Sequence, residues 1–388
     1  MNIAFVSRHD KYVKGGIQTV SKILSKKFTD DGHKVFWLSL IKSEITPLYE
    51  VNAFLSEGYI NYYFPESDCE SENNRHFLDE FIRKNKIDVL INQYGAYHAE
   101  SKLFLSSQGC KKISVIHINP RLIGDNYFHY LWTGGWKRRI RIPLLPFLKY
   151  RFNRSRKEFY TWLLQASDSV SLLSNSFKSS YSCLEEASNV IGIYNPMNNY
   201  DGININPSDK KKQIVFVGRL DMIQKAPDEI LYVFKEVEKK HSDWNLVIIG
   251  DGDDRRYLES LSRKLGLKNI KFTGFIDPIC YYEESAILLQ TSNNEGFPMV
   301  LIESLANKCV PVIYDSFAAA KDMIDDSVNG YLIKPKDRKA MAEKVNRLIE
   351  EADLREEMAE SAYKKSLTFS VENIARQWYD LFDQLLKE

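Results

Sequence analysis

The sequence predicts an α/β chain made of two parallel-sheet domains, and three observations carry that reading. Apolar runs of strand length alternate with amphipathic helical stretches, the alternation begins a second time midway along the chain, and the segment between the two series is turn-forming. The first series opens with NIAFVS at Asn2, continues through a helix from Gln18 to about Asp31, and adds KVFWLSL, DVLINQ and ISVIHI. The second opens with QIVFVGRL at Gln213 and runs through a helix near Asp228 to Lys240, NLVIIGDG, a helix from Arg255 to Leu265, IKFTGF, AILLQTS and VPVIYD. Residues 196–212 between them are rich in Asn, Pro, Asp and Lys, the composition of a linker. The predicted domains are therefore 1–196 and 197–370. In the remaining segment, 371–388, Ile374, Trp378, Leu381, Phe382 and Leu385 recur at helical spacing, giving one apolar face that must dock on something.

Bulk properties narrow the function. At 388 residues two domains are the natural expectation, and 44% apolar with 27% charged residues is the balance of a folded chain. Lys plus Arg number 53 against 52 Asp plus Glu, so no global field points to nucleic acid or another polyanion, and any electrostatic attraction must be local. Cys69, Cys110, Cys183, Cys280 and Cys309 are odd in number, widely spaced and without a C-x-x-C pair, which argues against a disulfide framework and a zinc cluster and fits a reducing compartment. MNIAFVSR lacks the features of a signal peptide, and no run approaches the ~20 apolar residues of a membrane span. The expected location is cytoplasmic, with any membrane contact made peripherally.

The densest chemical signal is NNEGFPMVLIESLANKCVPVI. Glu295 begins a Gly296-Phe297-Pro298 turn that opens a helix, and Glu303 follows eight residues later. A turn at a helix N-terminus aims unpaired amides and the positive dipole end at one spot, which suits phosphate. A carboxylate accepting two hydroxyl hydrogen bonds is a good reader of sugar or ribose. In VFVGRLDMIQKAPD, Gly218 allows a tight turn after a strand, while Arg219 and Lys225 supply two cations able to neutralise a departing diphosphate. LVIIGDGDDRRYLESL places Gly250 and Gly252 in a strand-to-helix turn, but Arg255 occupies the place of the third glycine of a dinucleotide fingerprint, and no G-K-S/T loop occurs. Asp251, Asp253 and Asp254 invite a metal reading, yet they lie where helix caps are expected. From Lys137 to Lys157 there are nine basic residues and no acidic one, interleaved with apolar and aromatic residues and broken by Pro143 and Pro146. Such a lobe could lie on anionic lipid or be a solvated face with its aromatics turned inward.

On these residues the chain resembles the retaining, GT-B-fold glycosyltransferases of family 4, the glycosyl transferases group 1, whose E-x7-E motif matches Glu295 through Glu303. The resemblance implies two Rossmann-like domains facing across a cleft, with nucleotide-sugar held by the C-terminal one, acceptor by the N-terminal one, and the last helix returning to the N-terminal domain. It implies that Glu295 contacts the hydroxyls of the transferred sugar and Glu303 the nucleotide ribose, and that Arg219 and Lys225 take up diphosphate charge. It further places His117 beside donor sugar and acceptor, Phe275 and Ile276 at the base, and Gly15 and Gly16 in a glycine-rich loop, although a merely permissive turn explains those glycines equally well. Transfer of a hexose or N-acetylhexosamine is expected with retention, from a nucleotide-sugar such as a UDP-sugar, without a protein nucleophile and without a metal cofactor. The expected partner is a glycan or lipid-linked glycan acceptor of lipopolysaccharide, capsule or exopolysaccharide synthesis, with residues 137–157 the possible membrane contact. A nucleotide-sugar epimerase and a non-catalytic binding protein of the same fold remain as alternatives.

Overall fold

The computed structural model describes all residues except 11, 13–14, 43–59, 121–144, 198–204 and 388. It divides into two compact units, Met1–Pro196 with Val371–Glu388, and Met197–Ser370.

In the first unit seven strands, β1 (Asn2–His9), β2 (Lys34–Ile41), β3 (Ile60–Tyr63), β4 (Val89–Asn92), β5 (Lys111–Ile116), β6 (Ser169–Leu172) and β7 (Val190–Gly192), form one parallel sheet in the order β3-β2-β1-β4-β5-β6-β7. β1 is buried on both faces over Ala4 to Val6, as is expected of a parallel strand covered by helices on either side. Register follows from these apolar runs, with Phe5 opposite Trp37 and Ile3 opposite Val89. Strand order reverses between β1 and β4, so the loops leaving those two strands diverge and open a crevice at the carboxyl edge of the sheet. The helix Gly16–Asp30 follows β1, and its Ser25 hydroxyl accepts the Trp37 indole hydrogen at 2.7 Å.

The C-terminal helix Val371–Lys387 belongs to this unit and buries Ile374, Trp378, Leu381, Phe382 and Leu385. Phe382 meets Phe28 edge-on with ring centroids 5.6 Å apart, and the Tyr379 hydroxyl donates to Asp31 at 2.6 Å. The greasy face anticipated in the sequence is thus covered by the first helix of the chain.

Of the basic segment 137–157, Lys137, Arg138, Arg139, Arg141 and Pro143 lie outside the described residues. Pro146 stands at the start of a described helix, a place where proline is tolerated. It sits in the first turn of the 22-residue helix Leu145–Ala166, where its missing N–H would have had no intrahelical partner. Phe159 and Tyr160 of this helix are buried, whereas Phe147 and Tyr150 are exposed. No helix among the described residues is long and apolar enough to cross a membrane.

The second unit carries β8 (Lys211–Val217), β9 (Asn245–Ile249), β10 (Ile270–Gly274), β11 (Ser285–Gln290), β12 (Val310–Tyr314) and β13 (Tyr331–Ile333), all parallel, in the order β10-β9-β8-β11-β12-β13. Phe216, Ile248, Leu289 and Val312 from the sheet pack with Phe234 and Val237 of the helix Pro227–Lys240 in one core. That helix has proline at its start, Asp228 and Glu229 in its first turn and two lysines in its last, each favoured by the helix dipole or by the orphan amides. Here the order reverses between β8 and β11, so the segments after these two strands lie at the point where open α/β sheets gather ligands.

Candidate functional site

The two segments leaving that switch point are tied together by their backbones. Asn293 N–H donates to the Gln224 carbonyl at 2.7 Å, its side-chain amide donates to the Ile223 carbonyl at 2.8 Å, and the Thr291 hydroxyl donates to the Ala226 carbonyl at 2.8 Å. Ala226 adopts φ 44°, an unusual conformation for a residue with a side chain, held by this stitching and by its own N–H bond to the Asp221 carbonyl. The turn 218–220 is braced from its other side. A Cβ on Gly250 would lie 1.9 Å from the Gly218 carbonyl oxygen, and Gly250 has φ +135°, so no other residue fits. Gly250 therefore permits two backbones to touch; that is its work in this unit.

Within this frame Lys225 and Glu295 meet. Lys225 Nζ donates to Glu295 Oε1 at 2.5 Å, with both side chains largely buried. The same oxygen accepts from the Ser292 hydroxyl at 2.7 Å and the Gln290 side-chain amide at 3.3 Å. Among the described residues no donor reaches Oε2, so the carboxylate is fixed by one oxygen and offers the other. Gly218 lies directly against the stem of Lys225, its hypothetical Cβ 3.7 Å from Lys225 Cδ and Cε. Arg219 belongs to the same turn but is turned outward, 62% exposed, with Nη2 2.9 Å from Asp221 Oδ2 and 3.0 Å from Gln224 Oε1. One cation is thus preset within the protein and the other extends into solvent.

Gly296 and Pro298 lead from Glu295 into the helix Met299–Ala306, whose first-turn amides at Met299 and Val300 have no intrahelical acceptor. The Phe297 ring is buried against Phe369, at 5.7 Å between centroids, so its side chain anchors the turn rather than facing outward. Glu303 is the fifth residue of that helix, and its Oε2 accepts from the Tyr282 hydroxyl at 3.1 Å. Burial raises the Glu303 carboxyl above its ordinary range, the Tyr282 hydrogen bond opposes this, and the Asp277 charge adds to it. Phe275 and Ile276 follow β10 and are exposed, Phe275 by 72%.

The aspartates after Gly250 behave differently from expectation. Asp254 occupies the cap position of the helix Arg255–Leu265 without bonding that helix, and its carboxylate instead accepts from Met222 N–H at 2.8 Å. Asp251 accepts from its neighbour Gly252 N–H and pairs with Arg255 Nη1 at 3.1 Å. Both carboxylates are used in holding turns.

In the first unit, His117 follows β5 and its Nε2 forms a short hydrogen bond with Gln93 Oε1, at the end of β4. Burial lowers the imidazole pKa to about 4, so it is neutral at pH 7. Gly15 has φ −172° and Gly16 is in the first helical turn; neither needs glycine for its conformation, and a Cβ on Gly16 would meet nothing within 4 Å. What the pair supplies is room beside the backbone.

Sequence reasoning missed Gln290, Ser292, Tyr282 and Gln93. For Gln290 and Gln93 a signal existed: each is a polar residue closing an apolar strand run at the carboxyl end, next to a switch point, and each is buried. Nothing local marks Ser292 or Tyr282.

Residues 203–365, nearly all of the second unit, match the model of the family described as glycosyl transferases group 1. A glycosyltransferase of Haemophilus influenzae, itself uncharacterized, is 24% identical over 368 residues, covering 94% of this chain and 95% of that protein. Over 196 residues, 50% of this chain and 54% of the relative, the chain is 31% identical to a Campylobacter jejuni α-1,4-N-acetyl-D-galactosaminyltransferase named for an acceptor glycan on PP-undecaprenol. The fold is that of the GT-B glycosyltransferases: the crystal structure of Anabaena HepE in complex with UDP aligns with a TM-score of 0.75 at 16% identity, over 99% of this chain and 100% of that one. Over residues 203–365 the chain is similar to the glycosyl transferases group 1.

Proposed function

We propose that this chain transfers a hexosyl or N-acetylhexosaminyl group from a nucleotide-sugar, UDP-linked, to a glycan acceptor, with retention at the anomeric carbon as in family 4. The observation that carries the reading is the Lys225–Glu295 pair at the β8/β11 switch point, one carboxylate oxygen secured by three donors and the other left for a ligand hydroxyl. Glu295 Oε2 reads the hydroxyls of the transferred sugar. Arg219, Lys225 and the amides from Gly296 to Val300 take the diphosphate, Glu303 the ribose, and Phe275 with Ile276 the base. In the first unit, His117, its Nε2 engaged by Gln93, lies beside donor sugar and acceptor, and Gly15 with Gly16 give the donor phosphates or acceptor access to backbone amides.

The acceptor hydroxyl attacks the anomeric carbon on the face from which the diphosphate leaves; the new C–O bond forms as the bond to phosphate breaks, and the proton passes to a departing phosphate oxygen. Negative charge grows on that phosphate in the transition state, so preset cations and amides lower the barrier. We assign this neutralisation to side chains and amides without a metal ion, and activity unchanged by a chelator is the expected outcome. A lipid-linked acceptor is supported by the acceptor in the name of the Campylobacter relative. It is also supported by exposed Phe147 and Tyr150 beside Lys149, Arg151 and Arg154, a face suited to anionic headgroups on the cytoplasmic side.

The test is incubation of the purified protein with a panel of nucleotide-sugars and lipid-linked oligosaccharides, with product anomers read by NMR. Transfer with α-configured product from an α-linked donor is expected, abolished in Glu295→Ala. Epimerised donor, or binding with neither transfer nor hydrolysis, would overturn the assignment.

A further inference from the structure

Glu303 is held by a relay that no motif announces. Tyr282, with none of its surface exposed, directs its hydroxyl to Glu303 Oε2 at 3.1 Å from the helix Ile279–Glu284. That helix is itself clamped: Lys210 Nζ, at the entry to β8, donates to the carbonyls of Tyr282 at 2.7 Å and Glu283 at 3.0 Å. These carbonyls belong to the last turn, where no intrahelical donor remains, and a cation at a helix C-terminus is favoured by the dipole as well. The start of the helix is fixed by Asp277, whose Oδ1 accepts from Ile279 N–H at 3.1 Å, and Asp277 directly follows the exposed pair Phe275 and Ile276. One short helix therefore joins the segment assigned to the base to the carboxylate assigned to the ribose.

From this geometry we propose that Tyr282 is a positioning residue that occupies Glu303 Oε2, so that Oε1 alone is presented to the nucleotide ribose, with Lys210 holding the helix that carries it. The proposal rests on the ribose role of Glu303. A buried carboxylate with two free oxygens can rotate between several hydroxyl geometries; one locked by a phenol presents a single acceptor in a single direction, which is what discrimination between ribose and deoxyribose requires. Tyr282 makes no contact with the sugar being transferred in this assignment, so its effect must fall on donor binding.

The experiment compares Tyr282→Phe, Glu303→Gln and the double variant, using the nucleotide-sugar accepted by the wild type and its 2′-deoxy and 3′-deoxy counterparts. In Tyr282→Phe the donor KM is expected to rise about tenfold with little change in kcat, the size of losing one hydrogen bond to a charged group. Preference for ribose over the deoxy donors should shrink in parallel. The double variant should be no worse than Glu303→Gln alone, because a residue acting through another adds nothing once that one is gone. Additive losses, or unchanged ribose preference in Tyr282→Phe while Glu303→Gln loses it, would overturn the relay and leave Glu303 in its role. Ribose preference unchanged in both single variants would overturn the role of Glu303 itself. Urea melts of each variant separate these results from loss of fold.

Discussion

Replacing Lys225 by Met keeps most of the apolar stem that packs beside Gly218 and removes only the charge that Glu295 answers. The side chains of the pair are 17% and 7% exposed, so Glu295 would be left as a nearly buried carboxylate. Breaking such a pair by removing one partner costs about 3–5 kcal/mol, and because Ser292 and Gln290 still donate to the same oxygen the lower end applies, about 3 kcal/mol. For a domain of this size that corresponds to a drop of roughly 6–12 °C in melting temperature. Turnover should fall on the order of 10²–10³-fold, the effect of deleting one preset donor to a developing charge, with donor KM changed far less. The stability part is isolated by Lys225→Met/Glu295→Gln, in which a neutral amide no longer needs a cation. That double variant should be more stable than Lys225→Met alone while remaining inactive. Urea unfolding and steady-state kinetics on Lys225→Met, Glu295→Gln and the double variant are sufficient. Wild-type stability in Lys225→Met, or a double variant less stable than either single one, would refute the reasoning that the pair is buried and coupled.

Two further outcomes follow from the first unit. The His117 pKa is about 4 when folded against ~6.5 when unfolded, so the unfolded chain binds the extra proton first: stability is level above about pH 6.5 and declines by up to about 3 kcal/mol as pH falls toward 4. Denaturant melts across that range should show the decline, and His117→Gln should flatten it. Phe382→Ala removes a fully buried ring packed against Phe28, and a loss of about 3–5 kcal/mol is expected in denaturant unfolding; a loss below about 1 kcal/mol would mean that the C-terminal helix is not docked as described.

What the sequence made legible was whatever depends on one segment at a time. The runs that became β1, β2, β8 and β11 are apolar enough to be buried on both faces, and the C-terminal helix declares its buried stripe at Ile374, Trp378, Leu381, Phe382 and Leu385. Strands of three or four residues such as β7 and β13 exist because neighbours recruit them, and their own residues are too few to show a period. Pro146 shows in the sequence as an interruption, and only the structure places it in the first turn of a helix, where proline costs no hydrogen bond. The same holds at the site. Glu295, Gly218 and Lys225 were visible as motif residues, but the division of labour between the oxygens of Glu295 comes from Gln290 and Ser292, which lie close in sequence and acquire meaning only once β11 ends beside β8. Asp254 was expected to cap its own helix; the turn at Met222, brought near by β8 and β9 pairing, competes for the carboxylate and takes it.

The central claim is that the cations and amides at the β8/β11 edge exist to receive a sugar-bearing diphosphate. A crystal structure of the protein with a non-hydrolysable UDP-sugar tests it most directly. Diphosphate oxygens are expected on Lys225, on a swung-in Arg219 and on amides between Gly296 and Val300, with Glu295 Oε2 on a sugar hydroxyl. A diphosphate seated instead on the Gly250–Gly252 turn, with Lys225 and Glu295 still paired only to each other, would contradict it.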